Sequence, residues 1–229
     1  DGKIEKIGKV TEEEIVKHGP QKLNGDRYVI LPGLIDCHTH MVFGGSREHE
    51  FALRLEGKSY EEILKAGGGI LSTVSFTREE SFEELYYKTQ DRLALSLAQG
   101  ITTVEIKSGY GLNTETELKM LRIIAGLKKE CPQSLHATFL GAHAFPLEYR
   151  EAREQYVDIL INEMIPQISE ESLAEFCDVF CDEVAFSVDE SERILQVAMG
   201  YGMRAKVHAD QLSDTGGAIL AARVGAISA

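Results

Sequence analysis

The sequence has no tryptophan, only five prolines and four cysteines, and no uninterrupted apolar run approaching 18 residues. A membrane-crossing helix needs such a run, so none is indicated. Positive charge is also scarce: 24 Lys and Arg against 37 Asp and Glu leave the 229 residues at a net −13. That balance argues against nucleic acid or an anionic membrane as the main partner. It leaves a small anionic substrate open, because one local arginine can override the global field. Cys37, Cys131, Cys177 and Cys181 show neither a disulfide framework nor zinc-ribbon spacing. Cys177 and Cys181 lie in an apolar, strand-like run and read as reduced core residues. The start, Asp1-Gly2-Lys3-Ile4-Glu5-Lys6, carries no signal-peptide pattern. The expected setting is the cytoplasm and the expected class an enzyme.

What is present centres on Leu31-Pro32-Gly33-Leu34-Ile35-Asp36-Cys37-His38-Thr39-His40. In a strand, residues i and i+2 point to the same face. His38 and His40 therefore put two imidazoles on one side of a strand end, close enough to share a metal ion. Imidazole suits zinc or iron, and catalytic sites of this kind keep one coordination position open for water.

Residues 1–31 differ from the rest. Asp1-Gly2 and Asn24-Gly25 are hairpin-turn signals, and Lys3–Ile7 and Tyr28–Ile30 alternate, which predicts two or three strands of a small β-sheet. From residue 32 onward strand and helix patterns alternate. After the first strand comes a long glycine-rich connection (Gly44-Gly45, Gly67-Gly68-Gly69) with a short helical piece at 60–65. Thr77 and Glu80 have capping-box spacing ahead of a helix over 81–98, with Phe82, Leu85, Leu93 and Leu97 as its apolar face. A strand at 101–107 leads to Ser108-Gly109-Tyr110-Gly111. A helix over 115–129 follows, with Thr114 and Glu117 spaced as a second capping box. A strand at 135–140 delivers His143; helices are expected at 148–165, stopped by Pro166, and at 170–176. A strand at 178–181 precedes a helix beginning after Ser187, with Glu190 at capping distance. A strand at 203–207 delivers His208, a helix covers 217–224, and 226–229 begins a sixth strand.

Such alternation implies a parallel sheet with right-handed crossovers. His38, His40, Tyr110, His143 and His208 fall at the carboxyl ends of successive strands, where a (β/α)8 barrel builds its site. A doubly wound open sheet is the alternative. It would carry a phosphate-binding glycine fingerprint after its first strand, and Gly44-Gly45-Ser46 is not one.

His38-Thr39-His40, Phe43-Gly44-Gly45-Ser46-Arg47, Ser108-Gly109-Tyr110-Gly111-Leu112, Leu140-Gly141-Ala142-His143 and Val207-His208-Ala209-Asp210-Gln211 occur in order along the chain. In these motifs the sequence resembles the metal-dependent amidohydrolase superfamily, and within it the imidazolonepropionase family of histidine degradation. The resemblance implies an α/β fold: a TIM barrel over 32–229, represented by about five and a half βα units, beside part of a small β-sandwich over 1–31. It implies hydrolysis of the ring amide of 4-imidazolone-5-propanoate to N-formimino-L-glutamate with one divalent metal ion, zinc or iron. His38, His40 and His208 are implied metal ligands; Arg47, Tyr60, Tyr110 and His143 are implied substrate contacts. A homodimer is compatible with it. The residue types suit these roles, since arginine pairs bidentately with a carboxylate where lysine does not.

The resemblance also implies a catalytic histidine after the sixth strand and an aspartate ligand from the eighth, both expected beyond Ala229. The 229 residues by themselves are therefore expected to be an inactive interior fragment. Gln211 departs from the glutamate of many relatives; it hydrogen-bonds and orients but does not titrate. The rival readings are a cyclic amidohydrolase or deaminase acting on another heterocycle, and a non-catalytic barrel. The intact histidines weigh against the last.

Overall fold

The computed structural model describes residues 4, 7–9, 11–17, 25–58, 62 and 68–229. By internal contacts the chain divides into two units, Asp1–Pro32 and Gly33–Ala229. In the first, the described residues form one short helix, Glu12–Lys17, and no strand. Thr11 and Glu14 cap that helix reciprocally (2.8 and 3.3 Å). The strand expected at 3–7 lies largely outside the described residues. The one expected at 28–30 carries no ladder bond; Tyr28 N–H closes a turn onto the Gly25 carbonyl instead. Alternation makes a strand only where a partner edge accepts it.

The second unit is a parallel sheet of five strands in sequential order: β1 (Leu34–Thr39), β2 (Ile101–Lys107), β3 (Ser134–Ala142), β4 (Phe176–Cys181) and β5 (Arg204–Ala209). A doubly wound sheet would reverse its strand order at a switch point. This one never reverses, so it curls as part of a barrel with its helices outside. After the helix Gly217–Val224 the chain returns to β5: Ile227 N–H bonds the Ala205 carbonyl and Val207 N–H the Ser228 carbonyl (2.9 and 3.1 Å).

The two faces of the sheet follow from period-two alternation. Val104, Ile106, Leu135, Phe139, Cys177, Val179, Ala205 and Val207 point outward and are buried beneath the helices. Glu105, Lys107, Thr138, Asp178, Lys206 and His208 occupy the other face. All four cysteines are free, with Cys177 and Cys181 in the core.

Several elements depart from expectation for local reasons. Among the described residues the glycine-rich connection holds two helices, Glu48–Leu55 and Ile70–Glu79, and the short piece expected at 60–65 lies almost wholly outside them. Thr77 lies inside the latter, its hydroxyl bonded to the Thr73 carbonyl (2.7 Å), and the capping box belongs to Ser81 and Glu84 ahead of Phe82–Ala98. The buried face of that helix is Leu85, Thr89, Leu93 and Ser96; Phe82 is 38% exposed. Ser187 and Glu190 do form the expected box, opening Val188–Gly200. Pro166 does not stop its helix. A π-helical turn, Leu160–Met164, separates Arg153–Ile159 from Ile165–Glu170, so the proline sits in a first turn where its missing N–H is not needed. The separate helix expected at 170–176 does not form: Glu170 ends the helix Ile165–Glu170 and Phe176 already belongs to β4.

The helix Thr114–Glu130 is capped by Asn113, whose side chain accepts the Thr116 N–H at 2.8 Å; Glu117 turns inward. Asn113→Ala is therefore expected to cost about 1 kcal/mol in urea denaturation, the usual worth of an N-cap. Thr114→Ala, by contrast, should leave the midpoint nearly unmoved.

Candidate metal centre

His38 is the penultimate residue of β1, His40 follows the strand, and His208 lies within β5 rather than after it. Curvature of the sheet brings the three imidazoles together, with one nitrogen of each lying within 4.8 Å of the others. The Nε2 atoms of His38 and His208 are 3.1 Å apart. Two nitrogens bound tetrahedrally at the usual Zn–N distance stand about 3.3 Å apart, so this donor set fits one divalent ion. Burial, followed by the neighbouring His143, holds His40 well below the usual histidine range. Burial, followed by His208, also lowers His38. Neutral imidazole is the ligating form.

Tyr110 and His143 join this group. The His40 ring is 5.0 Å from each, and Tyr110 is 5.5 Å from His143. His143 Nδ1 faces the Gly109 carbonyl at 3.0 Å, and burial dominates in lowering its pKa to about 4. Burial raises the Tyr110 phenol against the pull of Arg47. The Tyr110 loop wraps a buried carboxylate: Glu117 accepts N–H bonds from Gly109, Gly111 and Leu112 at 2.7–3.2 Å. Such close wrapping requires the flanking glycines. Gly109 has φ +101°, and a Cβ on Gly111 would stand 2.7 Å from the Glu117 nitrogen. Arg78 holds the same loop from its other side, donating to the carbonyls of Gly111 and Leu112 (2.7 and 3.0 Å).

Arg47 precedes the helix Glu48–Leu55. Its Nε and Nη2 donate to Glu50 Oε2 at 2.9 and 2.7 Å, while Glu50 Oε1 accepts the Gly69 N–H. The segment leading to Arg47 is fixed by Arg92, which donates to the Met41 and Phe43 carbonyls and lies 3.5 Å over the Phe43 ring. Tyr60 lies outside the described residues. Gln211 is exposed on the loop after β5. Asp210 accepts N–H bonds from Thr215, Gly216, Gly217 and Ala218 and closes the start of the following helix. His136 pairs with Glu175 near the opposite end of its strand (2.9 Å).

Sequence reasoning missed the charges below the imidazoles. Asp178, 1% exposed, has His208 Nδ1 at 3.0 Å and accepts from Lys107 Nζ at 2.8 Å, both on Oδ2. Lys107 also reaches Glu105 (2.7 Å), which receives Lys206 (2.7 Å) and the Thr138 hydroxyl. Burial pushes Asp178 up, but the bonds from His208 and Lys107 outweigh it and hold the acid at about 2. Glu105 is likewise lowered, its cationic partners overcoming burial. The available signal was alternation: Glu105 and Lys107 interleave with Val104 and Ile106.

Comparison with known proteins agrees with this architecture. The chain is 50% identical to the imidazolonepropionase of Alkaliphilus metalliredigens (strain QYMF), over 99% of this chain and 54% of that one. With the imidazolonepropionase of Shewanella sediminis (strain HAW-EB3) identity is 55%, over 87% and 49% respectively. The chain thus spans about half the length of the curated relatives it matches. Among solved structures, 5-methylcytosine deaminase from Klebsiella pneumoniae, liganded with 5-fluorocytosine, superposes with a TM-score of 0.57. That match covers 82% of this chain and 42% of the deaminase at 14% identity, a likeness of fold alone. The Amidohydrolase family profile matches residues 29–228, a span that contains the whole described sheet and its helices, and the chain belongs to that family.

Proposed function

We propose that the protein hydrolyses the ring amide C–N bond of 4-imidazolone-5-propanoate, giving N-formimino-L-glutamate, with one zinc or iron ion held by His38, His40 and His208. The observation that carries this reading is the convergence of those three imidazoles with Tyr110 and His143 at the strand ends. The naming of relatives at 50–55% identity supports the choice of substrate. A bound divalent ion supplies Lewis acidity toward water and toward a carbonyl oxygen.

The chain's own residues bind and orient. Arg47 takes the propanoate, for which a planar guanidinium is suited. His143 is neutral at physiological pH; with Nδ1–H donated to Gly109, its Nε2 accepts a ring N–H. Tyr110, kept as a phenol, donates its O–H to a polar atom of the heterocycle. Gln211 orients without titrating. Residues 1–31 are assigned to part of a small β-sandwich and 32–229 to the barrel. The same proposal places the protein in the cytoplasm as a homodimer, with a small anionic heterocycle rather than nucleic acid or a membrane as partner. Among the described residues, no helix is long and apolar enough to cross a membrane.

The test is an assay of the protein expressed from its natural gene, loaded with zinc or iron, on imidazolonepropionate. Stoichiometric metal without turnover would overturn the assignment. Arg47 separates this substrate from a neutral base such as a deaminase would take. Arg47→Ala should raise KM by about 30- to 100-fold, equivalent to roughly 2–3 kcal/mol for bonds to a charged group. Arg47→Lys, which still offers Glu50 a cation, should lose most of the same affinity because the fork is gone. An unchanged KM in both variants would remove Arg47 from the site.

A further inference from the structure

A buried charged network on the inner face of a sheet is costly. Apolar residues of similar volume in such a place are often as stabilising or better. Here two carboxylates, Glu105 and Asp178, face two ammonium groups, Lys107 and Lys206, so the group is electrically balanced. It is not fully satisfied, however: Asp178 Oδ1 is buried with no hydrogen-bond partner. Asp178 has a second feature, which is the imidazole it touches. His40 and His143 each direct Nδ1 at a backbone carbonyl, Ser108 at 3.2 Å and Gly109 at 3.0 Å. His208 directs Nδ1 at the Asp178 carboxylate, a charged acceptor, at 3.0 Å.

An imidazole that donates from Nδ1 presents its lone pair at Nε2. The Nε2 of His208 is the atom that stands 3.1 Å from His38 Nε2. We propose that Asp178 is the positioning residue of His208, taking its Nδ1–H so that the Nε2 lone pair faces His38 and His40, with Lys107 holding the carboxylate in place. Lys107 reaches Asp178 on the oxygen that His208 uses and Glu105 on the other side, bracing the carboxylate across two strands. The proposal rests on the reading of His208 as a ligand, and carboxylates behind ligating histidines commonly act this way.

The experiment has two independent readouts on the purified protein. Long-range 1H–15N correlation on metal-free protein labelled at histidine nitrogen gives the tautomer of each ring, with His208 assigned from a His208→Gln sample. Zinc titration against a chromophoric chelator gives affinity. The unmodified protein is expected to show His208 protonated at Nδ1. Asp178→Ala is expected to lose that tautomer and to weaken zinc binding about 10- to 100-fold. Asp178→Asn, which keeps an acceptor oxygen, is expected to retain the tautomer and most of the affinity. An Nε2-protonated His208 in the unmodified protein overturns the proposal outright, with no variant needed. So does equal zinc affinity in the unmodified and Asp178→Ala proteins. Failure of the ligand reading looks different: the tautomer is as expected, but His208→Gln binds zinc as tightly as the unmodified protein.

Discussion

Alanine at either His38 or His40 is expected to strip the protein of tightly held zinc. The two side chains and His208 contribute one nitrogen each to a cluster whose ligand atoms lie within 4.8 Å. If a structural-type site is worth about 10–16 kcal/mol, one imidazole of three or four accounts for roughly 3–5 kcal/mol, or on the order of a hundred- to several thousandfold in Kd. Measured as metal content after dialysis against a zinc buffer set near the unmodified protein's Kd, this is the difference between half-filled and empty. His136→Ala is the control. That ring is committed to Glu175 on a surface-facing pair, so its removal should leave the zinc content alone. Loss of zinc in the control as well would mean that content reports general damage, whereas retention in both site variants would exclude β1 from the centre.

How visible this centre was in the sequence depends on what kind of regularity announces each part. Period-two alternation marked β2 and β5, because the outward positions are uniformly apolar and bury against helices. The same alternation contained the inward charges, but Glu105 and Lys107 gain meaning only when Asp178, 71 positions beyond Lys107, is brought beside them. The histidines were legible because each stands at a strand end. Arg47 was legible as a residue but not as a pair, since its link through Glu50 to the Gly69 N–H passes through a helix with little sequence signal.

Helix starts show the same limit at shorter range. Thr77-Arg78-Glu79-Glu80 and Ser81-Phe82-Glu83-Glu84 both have the spacing of a capping box. The second wins because Thr77 is already committed, donating to the Thr73 carbonyl and accepting the Gly44 N–H. Pro166 marks a boundary correctly in the sequence but of the wrong kind, because a π turn lets the chain continue in helical form. In each case tertiary contacts chose between local options that the sequence left equal.

Glu117 carries the largest stability effect expected of a single side chain here. Its neighbour Glu115 also lies in the first turn of Thr114–Glu130 and is exposed. Removing Glu115 should move stability by less than about 0.5 kcal/mol, as for an ordinary surface position. Glu117 is fully buried and accepts the amide hydrogens of Gly109, Gly111 and Leu112. Leu112 itself sits at φ 51°, a conformation that a leucine adopts only where its surroundings impose it. With alanine at 117, three buried N–H groups lose their acceptor at roughly 1–3 kcal/mol each, so a total of about 3–6 kcal/mol is expected after partial relief by water. Against a typical domain stability of about 5–15 kcal/mol, that removes a large share, and at the low end of the range it unfolds much of the protein. Glu117→Gln retains one acceptor oxygen and should fall between, folding with a lowered urea midpoint. In that folded variant the loop is loosened, so binding through Tyr110 should weaken while metal content, assigned to His38, His40 and His208, should stay unchanged. A Glu117→Ala protein as stable as Glu115→Ala would show that the loop holds its shape without the carboxylate, through contacts such as those of Arg78 and His143.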